Sequence, residues 1–455
     1  MWWAVPLAVA LAALLYLYKI NASMRSVPAE IAQLSPHRWA KEEIRETYER
    51  LKKQPLGFDK LLPPRLNRRY VVVGGSGLVG GDIVLALLAR GQPAESIRIV
   101  DFAPPQRPDM AATGCDYVKA DISDRSSVEA AFAKPWPTSV ATLPLTVFHT
   151  AAVIRPQERS ILFYERCSRV NRDGAKNVME AAQQAGADIF VATSSASVAL
   201  VPPNFWVWPW EKGPKDYFQV IDERDWGKPL REHGRFFGNY AYTKAEAERL
   251  ILASNTPAFR TGTIRPGNPI YGQPSDPVVG IVLRSGTNVS WTPHIIQNFV
   301  CSRNVAQAHL AFEAALARKE MPACAGKPFV VTDHGPPTAY GDVYLAAMTL
   351  AKTPTTVKPV PPILLFLLAH MIEGWCLLLA KVPWLSKTLG WKEPSGDVHL
   401  LQPSVFSVSS HAFVDDREAR KSVEEGGIGY GSGCATIEGV CEQVLRWNRE
   451  MVGEE

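Results

Sequence analysis

What this chain lacks narrows it first. Its seven cysteines, at 115, 167, 301, 324, 376, 434 and 441, are an odd number and include no Cys-x-x-Cys pair. That pattern argues against a disulfide framework or a zinc site and for reduced thiols in a cytosol-facing protein; no metal is expected. Strong charge of one sign is missing too. The formal net charge is +4 with 21% charged residues. No basic stripe interleaves with aromatics, so nucleic acid is not an expected partner. From Trp2 to Tyr18 there is no charged residue at all. What is there is a 455-residue chain, 46% hydrophobic, of ordinary globular composition and long enough for two lobes.

The uncharged stretch WWAVPLAVALAALLYLY would reach about 25 Å as a helix, the short end for a bilayer span. Trp2, Trp3, Tyr16 and Tyr18 lie near its ends, where amphipathic aromatics favour the interface. No Lys or Arg precedes it, whereas Lys19, Arg25, Arg38 and Lys41 follow, which places the body of the chain in the cytosol. A cleaved secretory signal is the competing reading. The missing basic segment and the lack of a small-x-small site before Asn21 weigh against it. Residues 1–20 are thus expected to be a transmembrane anchor and 21–68 a linker. Within the linker, KEEIRETYERLKK reads as a solvated helix with Glu42/Arg45, Glu46/Arg50 and Glu49/Lys53 pairs. Asn21-Ala22-Ser23 and Asn288-Val289-Ser290 are glycosylation sequons; with a cytosolic body the second is chance.

The stretch YVVVGGSGLVGG, Tyr70 to Gly81, reads as strand, glycine turn and helix. That geometry sets a dinucleotide pyrophosphate on a helix N-terminus. Gly74 would make the tight turn. Gly77, followed by Leu78, would let the backbone approach the phosphates, and Gly80 would let helix and strand pack closely. By itself a glycine triplet is also just a turn. Strands and helices then alternate: IRIVD (97–101), YVKAD (117–121), LTVFH (145–149), a helix over about 163–185, and DIFVATSS (188–195). Such alternation predicts a doubly wound parallel sheet with ligands at the carboxyl ends of its strands. Asp101 ends the second strand, where a carboxylate accepts from the adenosine ribose hydroxyls and repels the extra phosphate of NADP, so NAD is favoured. Asp121-Ile122 would lie at the adenine edge, although Asp121 equally suits a helix cap. His149 reads as structural. The small residues after it, Ala151 among them, would let the nicotinamide half approach the backbone.

Ser194 and Ser195 sit at the tip of the fifth strand, and Tyr240 and Lys244 share one helical face at i, i+4. A phenol with a reference pKa near 10 is a poor base at neutral pH. A neighbouring ammonium and the positive charge of oxidised nicotinamide would lower it, letting Tyr240 take an alcohol proton while hydride leaves to NAD. The order of glycine turn, acid, strand-end serine, Tyr and Lys carries the signal, since Y-x-x-x-K alone is common. With these pieces the chain resembles the extended short-chain dehydrogenase/reductases, and within them the 3β-hydroxysteroid dehydrogenase family, which includes the sterol 4α-carboxylate 3-dehydrogenases. The matching segments are VVVGGSGLVG (71–80), KADISD (119–124), FHTAA (148–152), RVNRDGAKNVMEAA (169–182), VATSSASV (191–198), YAYTK (240–244), IRPGNPIYG (264–272), RNVAQAHLA (303–311) and GIGYGSGCATIEGV (427–440). The resemblance implies Ser195, Tyr240 and Lys244 as catalytic residues, with Ser194 the neighbour open to confusion. It implies a structural role for Asn171 and places Arg265-Pro266 near the nicotinamide. Val73 departs from the family's usual Thr.

The expected architecture is therefore an α/β Rossmann-type doubly wound parallel sheet with a smaller C-terminal substrate lobe and an N-terminal transmembrane helix. The NAD-binding domain spans 69–265, with a tryptophan-rich insert at 199–238 carrying Trp206, Trp208 and Trp210. That insert is read as a flap or sterol entrance in preference to a membrane contact. The substrate lobe spans 266–455. In it PVPPILLFLLAHMIEGWCLLLAKVPW (359–384) is read first as a helix on the membrane surface, with a buried helix and a true span as alternatives, because His370 and Glu373 are costly in lipid. The function expected from the resemblance is NAD-dependent oxidation of a sterol or terpenoid 3β-hydroxyl, with decarboxylation where carbon 4 carries a carboxylate, in the endoplasmic reticulum membrane. A homodimer or a complex with other sterol-pathway enzymes is left open. The alternatives are a nucleotide-sugar epimerase or dehydratase, and a non-catalytic NAD-binding regulatory protein.

Overall fold

The computed structural model describes residues 4–452; Trp2 and Trp3 lie outside them. Short apolar runs bounded by glycine turns form the seven strands of one parallel sheet: β1 (Arg69–Val73), β2 (Ile97–Asp101), β3 (Asp116–Lys119), β4 (Leu145–His149), β5 (Ala187–Thr193), β6 (Arg260–Pro266) and β7 (Pro328–Val331). Their order is β7-β6-β5-β4-β1-β2-β3. The direction of strand addition reverses between β1 and β4, and there the carboxyl ends leave a crevice. Register is direct, with Val73 opposite both Val100 and His149. Strands buried on both faces read as near-continuous Val/Ile runs, as a helix-covered parallel sheet requires.

Residues 302–331 return to this sheet from beyond position 266. The helix Ser302–Leu316 packs beside the first Rossmann helix, Leu78–Ala89, and β7 pairs with β6. The long helix expected over about 163–185 forms as one continuous helical run, Glu165 to Gln184, with a π-helical stretch at Arg169–Gly174 inside it. That stretch brings Asn171 to clamp Val153, whose N–H it accepts at 2.9 Å and whose carbonyl it donates to at 3.0 Å.

The segment 21–68 is not a solvated linker. The helix Lys41–Lys53 buries Ile44, Tyr48 and Leu51 against the helices Tyr340–Leu350 and Thr436–Val452. The i, i+4, i+7 apolar stripe was hidden in the sequence among its charges. Of the expected intrahelical pairs, Glu42–Arg45 forms loosely at 3.8 Å, while Arg50 turns to Glu438 at 2.7 Å. The N-terminal helix Ala4–Met24 exposes Val5, Leu7, Val9, Leu11, Leu14 and Leu15, yet buries Ile20 and Met24 in the body. Asn21 of the first sequon accepts from the Ile363 N–H at 3.4 Å.

The apolar segment 359–384 becomes the helix Pro362–Lys381, buried on one face and exposed on a stripe of Leu364, Leu368, Met371 and Leu378. Glu373 is held by Arg159 through two 2.7 Å bonds, which ties this helix to the loop after β4. His370 donates from Nδ1 to the Phe366 carbonyl one turn back, 2.8 Å away.

Truncating Ile44 to Ala should cost about 2–5 kcal/mol of stability, as for other buried aliphatic side chains. Urea denaturation measures it. A loss below about 0.5 kcal/mol, typical of a surface site, would mean that the helix is free.

Candidate active site

The glycine turn follows β1 because each glycine meets a steric demand. Gly74 adopts φ +83°, and a Cβ there would meet the Ala151 nitrogen at 2.5 Å. A Cβ on Gly80 would sit 2.1 Å from the Gly74 carbonyl oxygen. At Gly77 the nearest atom is the Gly74 oxygen at 3.2 Å, and the rest of the surroundings are open. Thr150 stitches the turn to the end of β4, donating to the Val73 and Gly74 carbonyls at 3.0 and 3.2 Å, and Ala151 donates its N–H to Val73 at 3.2 Å. An open cradle beside Gly77, at the start of a twelve-residue helix beginning at Leu78, fits the pyrophosphate of a dinucleotide.

Asp101 closes the turn from the side. Its carboxylate accepts the Ser76 N–H at 3.0 Å and the Phe102 N–H at 2.8 Å. Burial raises its pKa, and these backbone donors pull it back. The Ala103 N–H and the Ser76 hydroxyl also bond it, so ribose hydroxyls at this carboxylate would take over acceptor positions now held by the turn. Asp121 lies elsewhere than a cap: it is exposed and accepts from Ser123, and Asp124 caps the following helix through the Ser126 N–H. Ile122 is buried against Gly174. Pro266 ends β6.

The two strand-end serines are separated by their surroundings. The Ser195 hydroxyl interacts with the Tyr240 phenol and bonds the Ser197 hydroxyl at 2.7 Å. Ser194 interacts instead with the Glu248 carboxylate and helps to hold its pKa down. Glu248 itself is engaged by the fully buried Arg265 at 2.5 Å, and Arg265 also binds Asp225 at 2.6 Å. Arg265 is thus an internal brace between the Tyr240 helix and the insert.

Tyr240 and Lys244 stand on the helix Asn239–Ala253, whose entry is fixed by Asn239: its N–H donates to the Glu158 carbonyl at 2.9 Å and its side chain to the Ser160 carbonyl at 2.9 Å. The Tyr240 phenol is pushed up to about 12 by burial, with Ser195 holding it down. The expected help from Lys244 is not in place. The Lys244 ammonium donates to the Thr193 carbonyl at 2.5 Å, and burial lowers its pKa to about 8.

A residue that the sequence did not single out stands behind this contact. His309, from the returning helix, has Nδ1 2.8 Å from the Val305 carbonyl and Nε2 2.8 Å from the Thr193 hydroxyl. A carbonyl can only accept, so Nδ1 carries the proton and Nε2 accepts from Thr193. Burial and then Lys244 hold His309 down to about 4 and His149 to about 3, so both rings are neutral at physiological pH.

Comparison with known proteins places these features in a group. The family model described as "3-beta hydroxysteroid dehydrogenase/isomerase family" matches residues 71–355. A 3-beta-hydroxysteroid dehydrogenase of Mycolicibacterium neoaurum is 32% identical over 209 residues, 45% of this chain and 48% of that protein. The human sterol-4-alpha-carboxylate 3-dehydrogenase, decarboxylating, is 29% identical over 278 residues, 59% of this chain and 63% of that protein. The chain thus spans between about half and under two thirds of these relatives. The UDP-glucose 4-epimerase of Thermotoga maritima, solved with UDP-glucose, superposes with a TM-score of 0.53 at 16% identity, over 84% of this chain and 99% of that one. This is a likeness of fold.

Burial gives Lys244 a folded pKa near 8 against about 10.5 when unfolded. The unfolded chain therefore binds the proton more tightly, and the charged lysine destabilises the fold most fully below pH 8, progressively less up to pH 10.5. Lys244→Met should raise the melting temperature at pH 7, and the gain should shrink by pH 9.5. A gain independent of pH would show that the ammonium is not the source.

Proposed function

The chain belongs to the 3-beta hydroxysteroid dehydrogenase/isomerase family, and from that premise we propose that it is an NAD-dependent oxidoreductase that converts the 3β-hydroxyl of a sterol or steroid-like substrate to a 3-ketone. The observation that carries this is the Ser195 hydroxyl set against the Tyr240 phenol, with Lys244 one helical turn on. Bound in the Gly74–Gly80 cradle, NAD would supply a cationic nicotinamide that takes the carbinol hydrogen with its electron pair. Ser195 holds the substrate oxygen. Tyr240 takes the hydroxyl proton. With the phenol at about 12, full deprotonation at neutral pH would cost roughly 7 kcal/mol. Proton transfer therefore depends on positive charge nearby. Lys244, a cation at neutral pH, supplies part of it on leaving the Thr193 carbonyl for the cofactor ribose. His309 keeps the Thr193 hydroxyl committed away from that ammonium.

Where carbon 4 of the substrate bears a carboxylate, the 3-ketone is a β-keto acid and loses carbon dioxide without a further catalytic group. The likeness to the human sterol-4-alpha-carboxylate 3-dehydrogenase, decarboxylating, supports this variant. We read the N-terminal helix as a single-pass anchor in the endoplasmic reticulum membrane, with the catalytic body in the cytosol. Its exposed apolar residues and the exposed stripe of Pro362–Lys381 suit a bilayer and a lipophilic substrate better than a nucleotide sugar.

Full-length enzyme with NAD should produce NADH absorbance on a 3β-hydroxysterol or its 4-carboxy derivative; no NADH from either sterol, together with chromatographic conversion of a nucleotide sugar to its epimer without net NADH, would move the protein to the epimerase reading. Tyr240→Phe should lower turnover by about 10²–10⁴-fold and Ser195→Ala should also lower it, with NAD binding retained in both. Ser194→Ala should stay near the parent rate. Asp101→Ala should weaken NAD and relax discrimination against NADP; an unchanged preference would remove Asp101 from the ribose site.

A further inference from the structure

The N-terminal helix does not hang on a slack tether. Ile20 and Met24, in its last two turns, are buried with Phe205, Tyr217, Ile295, Phe366 and Phe406. The Met24 carbonyl accepts from the Tyr217 hydroxyl and from His294 Nε2 at 2.7 Å. Lys19 reaches the tryptophan insert itself, donating to the Glu211 carbonyl at 2.7 Å and to that of Pro209. Pro209 separates Trp208 from Trp210. These two rings stack, with centroids 5.2 Å apart and planes 6° from parallel, and stay 62% and 76% exposed. Trp206 behaves differently, turning onto Phe366 and His370. A flap closing over a core would turn its tryptophans inward, and here only the first of the three does so. Exposed Lys212 and Lys215 follow the pair. Stacked aromatics with adjacent lysines at the base of a bare apolar helix match the chemistry of a membrane–water interface.

We propose that Trp208 and Trp210 are a second membrane contact, seated among the lipid headgroups where the N-terminal helix leaves the bilayer. The body is then held against that surface in one orientation. This rests on the membrane reading above. It revises the expectation that the insert is a flap or entrance.

The test uses the full chain in phosphatidylcholine–phosphatidylserine vesicles, with Cys115 replaced by Ser and one environment-sensitive fluorophore placed through Trp210→Cys, Leu11→Cys or Glu320→Cys. Lipids carry nitroxide quenchers either at the headgroup or deep in the acyl chain. The probe at 210 should be quenched several-fold more by headgroup than by deep nitroxide, the probe at 11 the reverse, and the probe at 320 by neither. A probe at 210 that behaves like the one at 320, while 11 is quenched, overturns the proposal. If 11 is not quenched either, the membrane reading itself fails. Emission at 210 that shifts with protein concentration and not with lipid would assign the pair to a contact between copies, and would also overturn it. Because a label could perturb the insert, Trp208→Ser/Trp210→Ser is the second variant. It should raise KM several-fold for vesicle-borne sterol and leave KM for detergent-dispersed sterol unchanged; equal KM values in both media count against the proposal.

Discussion

A single ammonium held out of water governs this structure. Lys244 is buried and rests on one carbonyl, that of Thr193 at the end of β5. Leaving that charge unsatisfied would cost far more than a typical hydrogen bond contributes. The strand end and the helix that carries Lys244 must therefore be fixed, and separate parts of the chain fix them. β4 and β6 flank β5 on either side. His309, from the helix that returns after residue 302, orients the Thr193 side chain. Asn171 bonds Thr243 at 3.2 Å, next to Lys244 on the same helix. The neutral imidazoles of His149 and His309 add no competing charge.

The Tyr240 helix is also held by the buried Glu248–Arg265 pair, which reaches the partly exposed Asp225 on the insert. Removing one member of such a buried pair leaves an uncompensated charge, so the brace links the helix to the insert energetically as well as sterically. The insert in turn meets the end of the N-terminal helix through Lys19 and Tyr217. Site, insert and N-terminal helix are thus mechanically continuous, and the proposed cofactor cradle keeps a fixed relation to the helix that is proposed to enter the bilayer.

The parts legible in the sequence are those whose demands are local. Gly74 and Gly80 are required by contacts within a few residues of chain or across one strand, and the turn stands where the spacing set it. Strand positions followed from apolar runs bounded by turns. The parts that were not legible depend on distant partners. Thr193 and His309 are 116 positions apart. Ser194 and Ser195 differ only in which way each points once the strand ends, which no spacing records. The helix Lys41–Lys53 looked solvated because its charges outnumber the Ile44, Tyr48 and Leu51 stripe, and the surfaces that cover the stripe lie some 300 to 400 residues later. Asp121, at the end of its strand, suited a helix cap, but the cap is Asp124, three residues on, which accepts the Ser126 N–H.

The account is tested most directly by following the hydrogen on the carbinol carbon. A sterol carrying deuterium at carbon 3 in place of that hydrogen, incubated with NAD and the full-length enzyme, should yield NADH one mass unit heavier together with the 3-ketone in equal amount. Unlabelled NADH, or a sterol recovered with its deuterium and no ketone, would contradict direct transfer from carbon 3 and with it the proposed role of the Ser195, Tyr240 and Lys244 site.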